Sequence, residues 1–403
     1  MGKNPIIIIG AGPAGLMAAQ YLASLGYEVQ VYEQNKAAAR KFLVAGDGGF
    51  NLTHSEPIED FVHRYDAPIL REIVRTYDNQ ATIAWLTQIG IPTYIGSSGK
   101  IFPEKHIKPI QVLQAWLAHL KQLGVSIFYQ HQFVDFDKDY VYLSHQGEVF
   151  SQKYEQLILG LGGASWKKTG SDGTWLPIFE QKGIQVTPLE AANSGYNTAE
   201  DWNDLEGQVL KNIQIRYEEH TKLGEIVFTS YGIEGSPLYY MNRFTRGHEF
   251  PVDLLIDLKP STSKDFIMEQ LARGGNIGAI LKDKLKLSKT AIALLRRLDK
   301  SVFTNPIELA AAIKGYPIRT MGLRPIDEVI STAGGVSFET LDDNLAMLQF
   351  PNVYCVGEML DWEAPTGGYL LQGCFSSGIW VGKAINRLYR TAERPNFREH
   401  KSV

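Results

Sequence analysis

"IIIIGAGPAG", residues Ile6–Gly15, decides the fold. Four consecutive isoleucines are the kind of short apolar run that a parallel sheet buries on both faces. They lead directly into glycines at positions 10, 12 and 15. In this G-x-G-x-x-G spacing Gly10 makes the tight turn, Gly12 lets the backbone approach a pyrophosphate, and Gly15 brings helix close to strand. The helix that opens here turns free N–H groups and a positive dipole end toward phosphate oxygens. Downstream, Ala18, Leu22 and Leu25 recur at helical spacing before Gly26, a helix stop. Then "YEVQVYE" alternates Val29 and Val31 like a strand and ends at Glu33, where an acid accepts hydrogen bonds from ribose hydroxyls. A structural glycine turn beside a surface glutamate is the bland alternative, and it leaves this ordered set of context elements unexplained. Residues 6–33 therefore read as a βαβ unit with a right-handed crossover that opens a dinucleotide-binding domain.

A chain of 403 residues calls for two or three domains. Its 44% hydrophobic and 21% charged residues suit a globular protein, and a net charge of −4 gives no bulk attraction to nucleic acid or acidic membranes. Cys355 and Cys374 are the only cysteines, so no disulfide framework exists and a reducing cytoplasm is expected. Glycines interrupt the apolar start, which disqualifies it as a signal peptide, and no run of about 18 apolar residues suggests a membrane span. A soluble cytoplasmic protein without membrane contact is expected.

The texture of the chain predicts three segments. Residues 1–190 form the first part of the nucleotide domain, 191–320 an inserted domain of antiparallel strands followed by a small helical part, and 321–403 the second part. In the insert "VLKNIQIRY", "GEIVFTS", "SPLYYMN" and "PVDLLIDLK" read as strands. The tail after Arg390 reads as polar and mobile.

Near the far end, "NVYCVGEML" is a buried strand ending in Gly357-Glu358, which suits a carboxylate beside the ribityl and pyrophosphate region of FAD. "TGGYLLQG" then sets Gly367 and Gly368 before a helix whose N–H groups can face a flavin edge. Two glycine sites so far apart in sequence favour FAD over NAD. No second G-x-G-x-x-G occurs, so NAD(P)H either enters the flavin site transiently as electron donor or gives way to a protein partner.

Six ordered stretches resemble one known family: "IIIIGAGPAG…VYE", "RKFLVAGDGGFNLTHSE", "LGGASWKKTGSDG", "FTSYGIEGSP", "GLRPIDEVISTAGGV" and "GEMLDWEAPTGGYLLQ". They are similar to the BaiN/YhiN-type flavoproteins, NAD(P)/FAD-dependent oxidoreductases, over nearly the whole chain. The resemblance implies a glutathione-reductase-type, Rossmann-like α/β FAD fold carrying an insert. It also implies a site. Gly10, Gly12, Ala14 and Gly15 would hold the pyrophosphate, Glu33 the adenosine ribose, and Arg40 and Lys41 would neutralise phosphate charge. The loop with Gly46, Gly48, Gly49 and Asn51 would pass the flavin ring, and the main chain at Val134 would meet adenine. Gly162 and Gly163 would close over the nucleotide, Gly357 and Glu358 would complete the ribityl end, and Gly368, Tyr369 and Leu370 would approach the flavin's pyrimidine side. Where many members carry Arg-Cys-Asn, this chain has Gly49-Phe50-Asn51, and Ser230 replaces a histidine of the insert. A subgroup without those thiol and imidazole groups is implied.

The expected activity is hydride exchange between bound flavin and a small organic substrate in a cleft beneath the insert. Reduction of an activated double bond also needs a proton donor, for which Tyr369, His54, Asp361 and Glu363 are candidates, though such a group is more often a structural hydrogen-bonding one and none is singled out as catalytic. No C-x-x-C favours disulfide reduction, no H-x-x-x-H implies a metal, and no G-x-S-x-G implies a hydrolase. Lys282, Lys284, Lys286, Lys289, Arg296, Arg297 and Lys300 form a basic stretch in the insert, readable as a solvated helical face. A tRNA-modifying flavoenzyme is the alternative that stretch supports, and a flavin-binding protein without catalysis is a third.

Overall fold

The computed structural model describes residues 5–44 and 49–392. Residues 1–190 with 332–403 form one compact unit and 191–331 another.

In the first unit β1 (Ile6–Ile9) lies at the centre of a six-stranded sheet in the order 346–347, 350–355, 156–159, 6–9, 29–33, 126–129. All neighbours run parallel except Ala346–Met347, a short antiparallel edge. Ile8 pairs with Val31 of β2 (Val29–Glu33) on one side and with Ile158 on the other. Every side chain of β1 is buried, the outcome expected of an unbroken apolar run covered on both faces. Helix α1 (Pro13–Ser24) covers one face with Leu16, Ala19 and Ala23 buried, and the last helix, Tyr369–Ala392, packs along it. A Cβ at Gly378 would lie 2.3 Å from the Ala14 carbonyl oxygen, so that crossing requires glycine. A meander of Gln132–Phe136, Tyr140–His145 and Glu148–Lys153 follows the sheet's last parallel strand.

The second unit is built on a closed barrel of six strands in the order 196–198, 232–234, 220–229, 209–217, 252–257, 316–323. Tyr196, Phe228, Ile215, Leu254 and Ile318 fill its core. Two sequence readings change here. "SPLYYMN" lies in a helix, Ser236–Thr245, and not in a strand. Pro237 in the first turn carries no N–H that a helix start would leave unpaired, and Gly235 (φ +138) enters it from a backbone region closed to other residues. The return to the first unit comes at Thr332, beyond the expected 321, because Tyr316–Leu323 closes the barrel between Val252–Asp257 and Tyr196–Thr198.

Candidate active site

The carboxyl ends of β1, β2 and Gln156–Leu159 line a cleft that opens to solvent. Its position is the one parallel α/β sheets use for ligands. Gly10, Gly12, Ala14, Glu33, Arg40, Lys41, Gly162, Gly357 and Glu358 all line it.

The three glycines of the first turn have different surroundings. At Gly10 (φ +99) a Cβ would fall 2.3 Å from the Gly160 carbonyl oxygen. At Gly15 it would fall 2.1 Å from the Gly10 carbonyl oxygen, so Gly15 packs helix on turn and does not line the cleft. At Gly12 a Cβ would meet nothing within 4 Å. Gly12 is the N-cap of α1, without a side-chain cap, and the first-turn N–H groups of a helix have no intrahelical acceptors. Open space over backbone at a helix N-terminus fits a pyrophosphate.

Glu33 is 7% exposed. Its Oε2 accepts from the Ala11 N–H at 2.9 Å, and its Oε1 accepts from the Asn35 N–H and Nδ2, both at 2.8 Å. A carboxylate accepts about four hydrogen bonds, so capacity for a ribose hydroxyl is left. Arg40 donates to Asn35 Oδ1 at 2.8 Å. Lys41 Nζ lies 2.6 Å from both Glu358 Oε2 and Ser165 Oγ, so the cation expected at the phosphates and the carboxylate expected beside the ribityl and pyrophosphate region pair directly. Glu358 Oε1 accepts from the Thr332 N–H at 3.2 Å. Cys374 also lines the cleft, its thiol pushed up to about 12 by burial and by the neighbouring Glu358 carboxylate.

The other expected residues stand elsewhere. Gly46 and Gly48 lie outside the described residues. Val134 is 36% exposed and does not line the cleft, whereas Phe133 beside it and His131, just before the strand, do. Gly163 is behind the cleft wall, where a Cβ would strike Thr332 Oγ1 at 1.9 Å. Gly49, Asn51, Gly368, Tyr369 and Leu370 do not line it either. Gly368 (φ +104) instead seats its Cα against the Thr53 backbone, where a Cβ would come within 2.5 Å. The 49–54 stretch and the 367–370 turn thus share a wall.

On that wall Tyr369 is held at every edge. Its ring stacks on His54 (centroids 5.3 Å apart) and tilts against Phe61, its carbonyl accepts from Tyr65 Oη at 2.7 Å, and its hydroxyl donates to Glu56 Oε2 at 2.9 Å. The Arg64 guanidinium, bound to both Glu56 oxygens, keeps that carboxyl below its ordinary range. Burial, with Glu56 as acceptor, pushes the Tyr369 phenol well up. His54 Nδ1 accepts from the Glu56 N–H, which assigns the proton to Nε2, donated to the Ser98 carbonyl at 3.0 Å. Asp361 accepts from Thr187 Oγ1 at 2.6 Å. Glu363 is tied through its backbone N–H to Asp66 at 2.7 Å. None of the four proton-donor candidates lines the cleft.

Sequence reasoning missed Gln34, Asn35, His131, Phe133 and the stretch Thr169–Trp175, much of which lines the cleft. The available signal was "TGSDG", a polar glycine turn inside a stretch already singled out.

The family model for the HI0933-like protein Rossmann domain matches residues 4–384. The chain belongs to that family. Its members are Rossmann-fold flavoprotein oxidoreductases. It is 25% identical over 424 residues to the 3-dehydro-bile acid delta(4,6)-reductase of Clostridium scindens, covering 97% of this chain and 100% of the relative. It is also 25% identical over 408 residues to the ribosomal RNA dihydrouridine synthase of Haemophilus influenzae, covering 94% and 98%. Among solved structures, the flavocytochrome c3 fumarate reductase in its open conformation superposes with a TM-score of 0.53 at 12% identity, over 96% of this chain and 78% of that one. The 3-ketosteroid-delta4-(5alpha)-dehydrogenase of Rhodococcus jostii RHA1 gives 0.50 at 14%, over 95% and 97%. These structural likenesses establish the shared fold. No helix among the described residues is long and apolar enough to cross a membrane.

Proposed function

We propose that this flavoprotein reduces an activated carbon–carbon double bond in a small organic substrate, with FAD held in the cleft and NAD(P)H as transient donor. The observation that carries the reading is the open space at Gly12 over the N-terminus of α1, bordered by Glu33 on one side and the Lys41–Glu358 pair on the other. Bound FAD supplies the two-electron exchange. The chain's residues position it. Gly12 and the α1 N–H groups take the pyrophosphate, Glu33 the ribose, Arg40 and Lys41 offset phosphate charge, and Gly357 and Glu358 receive the ribityl end. Gly49, Asn51 and the Gly368–Leu370 turn, which do not line the cleft, flank the ring where it extends beyond it, with Tyr369 holding the turn in place. The substrate class draws on the reductase and dihydrouridine synthase names of the relatives, both of which denote saturation of a double bond.

The test is the visible spectrum of the purified protein, followed anaerobically as NADH or NADPH is added. Oxidised-flavin bands that bleach with one nicotinamide are expected; no bands even after FAD is supplied would overturn the reading. A second reading, an RNA substrate, rests on the ribosomal RNA dihydrouridine synthases of H. influenzae and Escherichia coli. Lys282, Lys284, Lys286, Lys289, Arg296, Arg297 and Lys300 are all exposed in the second unit, Arg297 lying over Trp202 and pairing with Asp204. Binding of ribosomal RNA that weakens steeply with salt would favour that substrate over a small molecule.

A further inference from the structure

The stretch Thr169–Trp175 has no role in the site so far, yet it bridges two strand ends across the cleft. At one end the Thr169 and Gly170 carbonyls accept from Asn35 Nδ2 (3.2 Å) and Gln34 Nε2 (2.7 Å), just past β2 and beside Glu33. At the other end Trp175 Nε1 donates to the Gly162 carbonyl (2.9 Å), and the Gly173 N–H donates to the Gly163 carbonyl (3.1 Å), just past Gln156–Leu159. Asp172 Oδ1 accepts from the N–H and hydroxyl of Thr174, which closes the turn on itself.

Ser171 sits at the middle of this strap. It is 6% exposed, lines the cleft, and its Oγ has no hydrogen-bond partner among the described residues. A Cβ on Gly162 would fall 3.1 Å from that oxygen, so glycine there leaves the hydroxyl room. A buried hydroxyl without a partner is costly, and few are tolerated in folded proteins unless a ligand or water completes them. Thr332 Oγ1 is also unpartnered but does not line the cleft.

We propose that Thr169–Trp175 clamps the nucleoside diphosphate half of the cofactor, with the Ser171 hydroxyl donating to one of its oxygens. The strap is anchored at the Glu33–Asn35 corner, which places Ser171 on the nucleotide side of the cleft. This rests on the FAD reading above.

The experiment is calorimetric titration of flavin-stripped protein, wild type and Ser171→Ala, with FAD, ADP and FMN, together with the melting temperature of the ligand-free proteins. One lost hydrogen bond predicts about tenfold weaker FAD and ADP binding. FMN binding stays as in wild type, and the ligand-free melting temperature does not fall, because the hydroxyl has no partner to lose. Unchanged FAD and ADP affinity in Ser171→Ala would overturn the clamp. So would a lower ligand-free melting temperature with all three ligands weakened in parallel, which assigns Ser171 to the fold. Wild-type protein that takes ADP but neither FAD nor FMN, with Ser171→Ala weakening ADP, would remove the flavin reading and leave the clamp supported.

Discussion

Replacing each glycine of the first turn separates binding from folding. At Gly10 the backbone is left-handed (φ +99) and a Cβ would fall 2.3 Å from the Gly160 carbonyl oxygen. Gly10→Ala therefore combines backbone strain of about 1–3 kcal/mol with overpacking of about 1–3 kcal/mol, so about 2–6 kcal/mol is lost. Against a native stability of about 5–15 kcal/mol that is a large share. Gly12 is the reverse case. Its φ of −81 and ψ of 176 suit any residue, nothing lies within 4 Å of a Cβ, and it is the N-cap of α1. Serine is a preferred N-cap, so Gly12→Ser keeps or raises stability by a few tenths of a kcal/mol. Its side chain would stand where the pyrophosphate approaches, and overpacking of about 1–3 kcal/mol predicts FAD binding weaker by about 5- to 150-fold. Thermal melts of the flavin-free proteins and FAD titration by fluorescence quenching measure the two quantities separately. A Gly12→Ser protein that melts like wild type and binds FAD equally well would refute the placement of a pyrophosphate over Gly12.

Lys41→Met should weaken FAD binding about tenfold and lower the melting temperature, because it leaves Glu358 partly buried without its cation. The double variant Lys41→Met/Glu358→Leu should recover most of the melting temperature but not the binding, as calorimetry and titration would report. Glu56, held below its ordinary pKa by Arg64, contributes stability fully present above its unfolded value of about 4.5 and lost as pH falls through its folded value. Glu56→Gln should accordingly flatten the acid limb of melting temperature against pH as pH falls below about 4.5. With its thiol near 12, Cys374 should react with a thiol-specific disulfide reagent at pH 8 on the order of a thousandfold more slowly than a free cysteine, and should reach normal rates only on unfolding. Rapid labelling of the folded protein at Cys374 would contradict the burial and carboxylate contact described for it.

What was legible in the sequence is what local periodicity and short spacing carry. Ile6–Gly15 states its strand, turn and helix within ten residues, and Glu33 follows at the end of the next strand. The far glycine, Gly357, was legible because it too ends a buried strand, one that joins the same sheet beside Gln156–Leu159. The meander was legible as strands, but the face each residue takes depends on register. Val134 therefore stands out of the cleft while His131 and Phe133 line it. "SPLYYMN" misled because its adjacent aromatics, Tyr239 and Tyr240, favour a strand, whereas Gly235 before it and Pro237 in its first turn favour a helix start. Ser171 was invisible for a different reason: being unpartnered is a property of the folded neighbourhood, and no pattern of residue types encodes it.

The charged groups of the cleft form a chain of internal contacts: Arg40 to Asn35, Asn35 to Glu33, Glu33 to the turn at Ala11, and Lys41 to Glu358. The Glu33–Ala11 bond holds the end of β2 to the end of β1, and the Arg40 and Lys41 contacts tie the helix Arg40–Val44 to the strand ends, so the cleft keeps its shape through its own side chains. A nucleotide entering it competes with Glu358 for the charge of Lys41, whereas Arg40 is bound to the neutral Asn35 amide and keeps its charge. The space over Gly12 and the Ser171 hydroxyl have no competing partner and are neutral. Recognition therefore leans on backbone N–H groups and a hydroxyl more than on free cations. Attraction between already paired charges changes little with ionic strength, in contrast to a surface that neutralises phosphates with unpaired lysines and arginines. Cofactor affinity in this cleft should accordingly vary far less with salt than any binding of RNA to the exposed lysines of the second unit, which distinguishes the two readings of the protein in one buffer series.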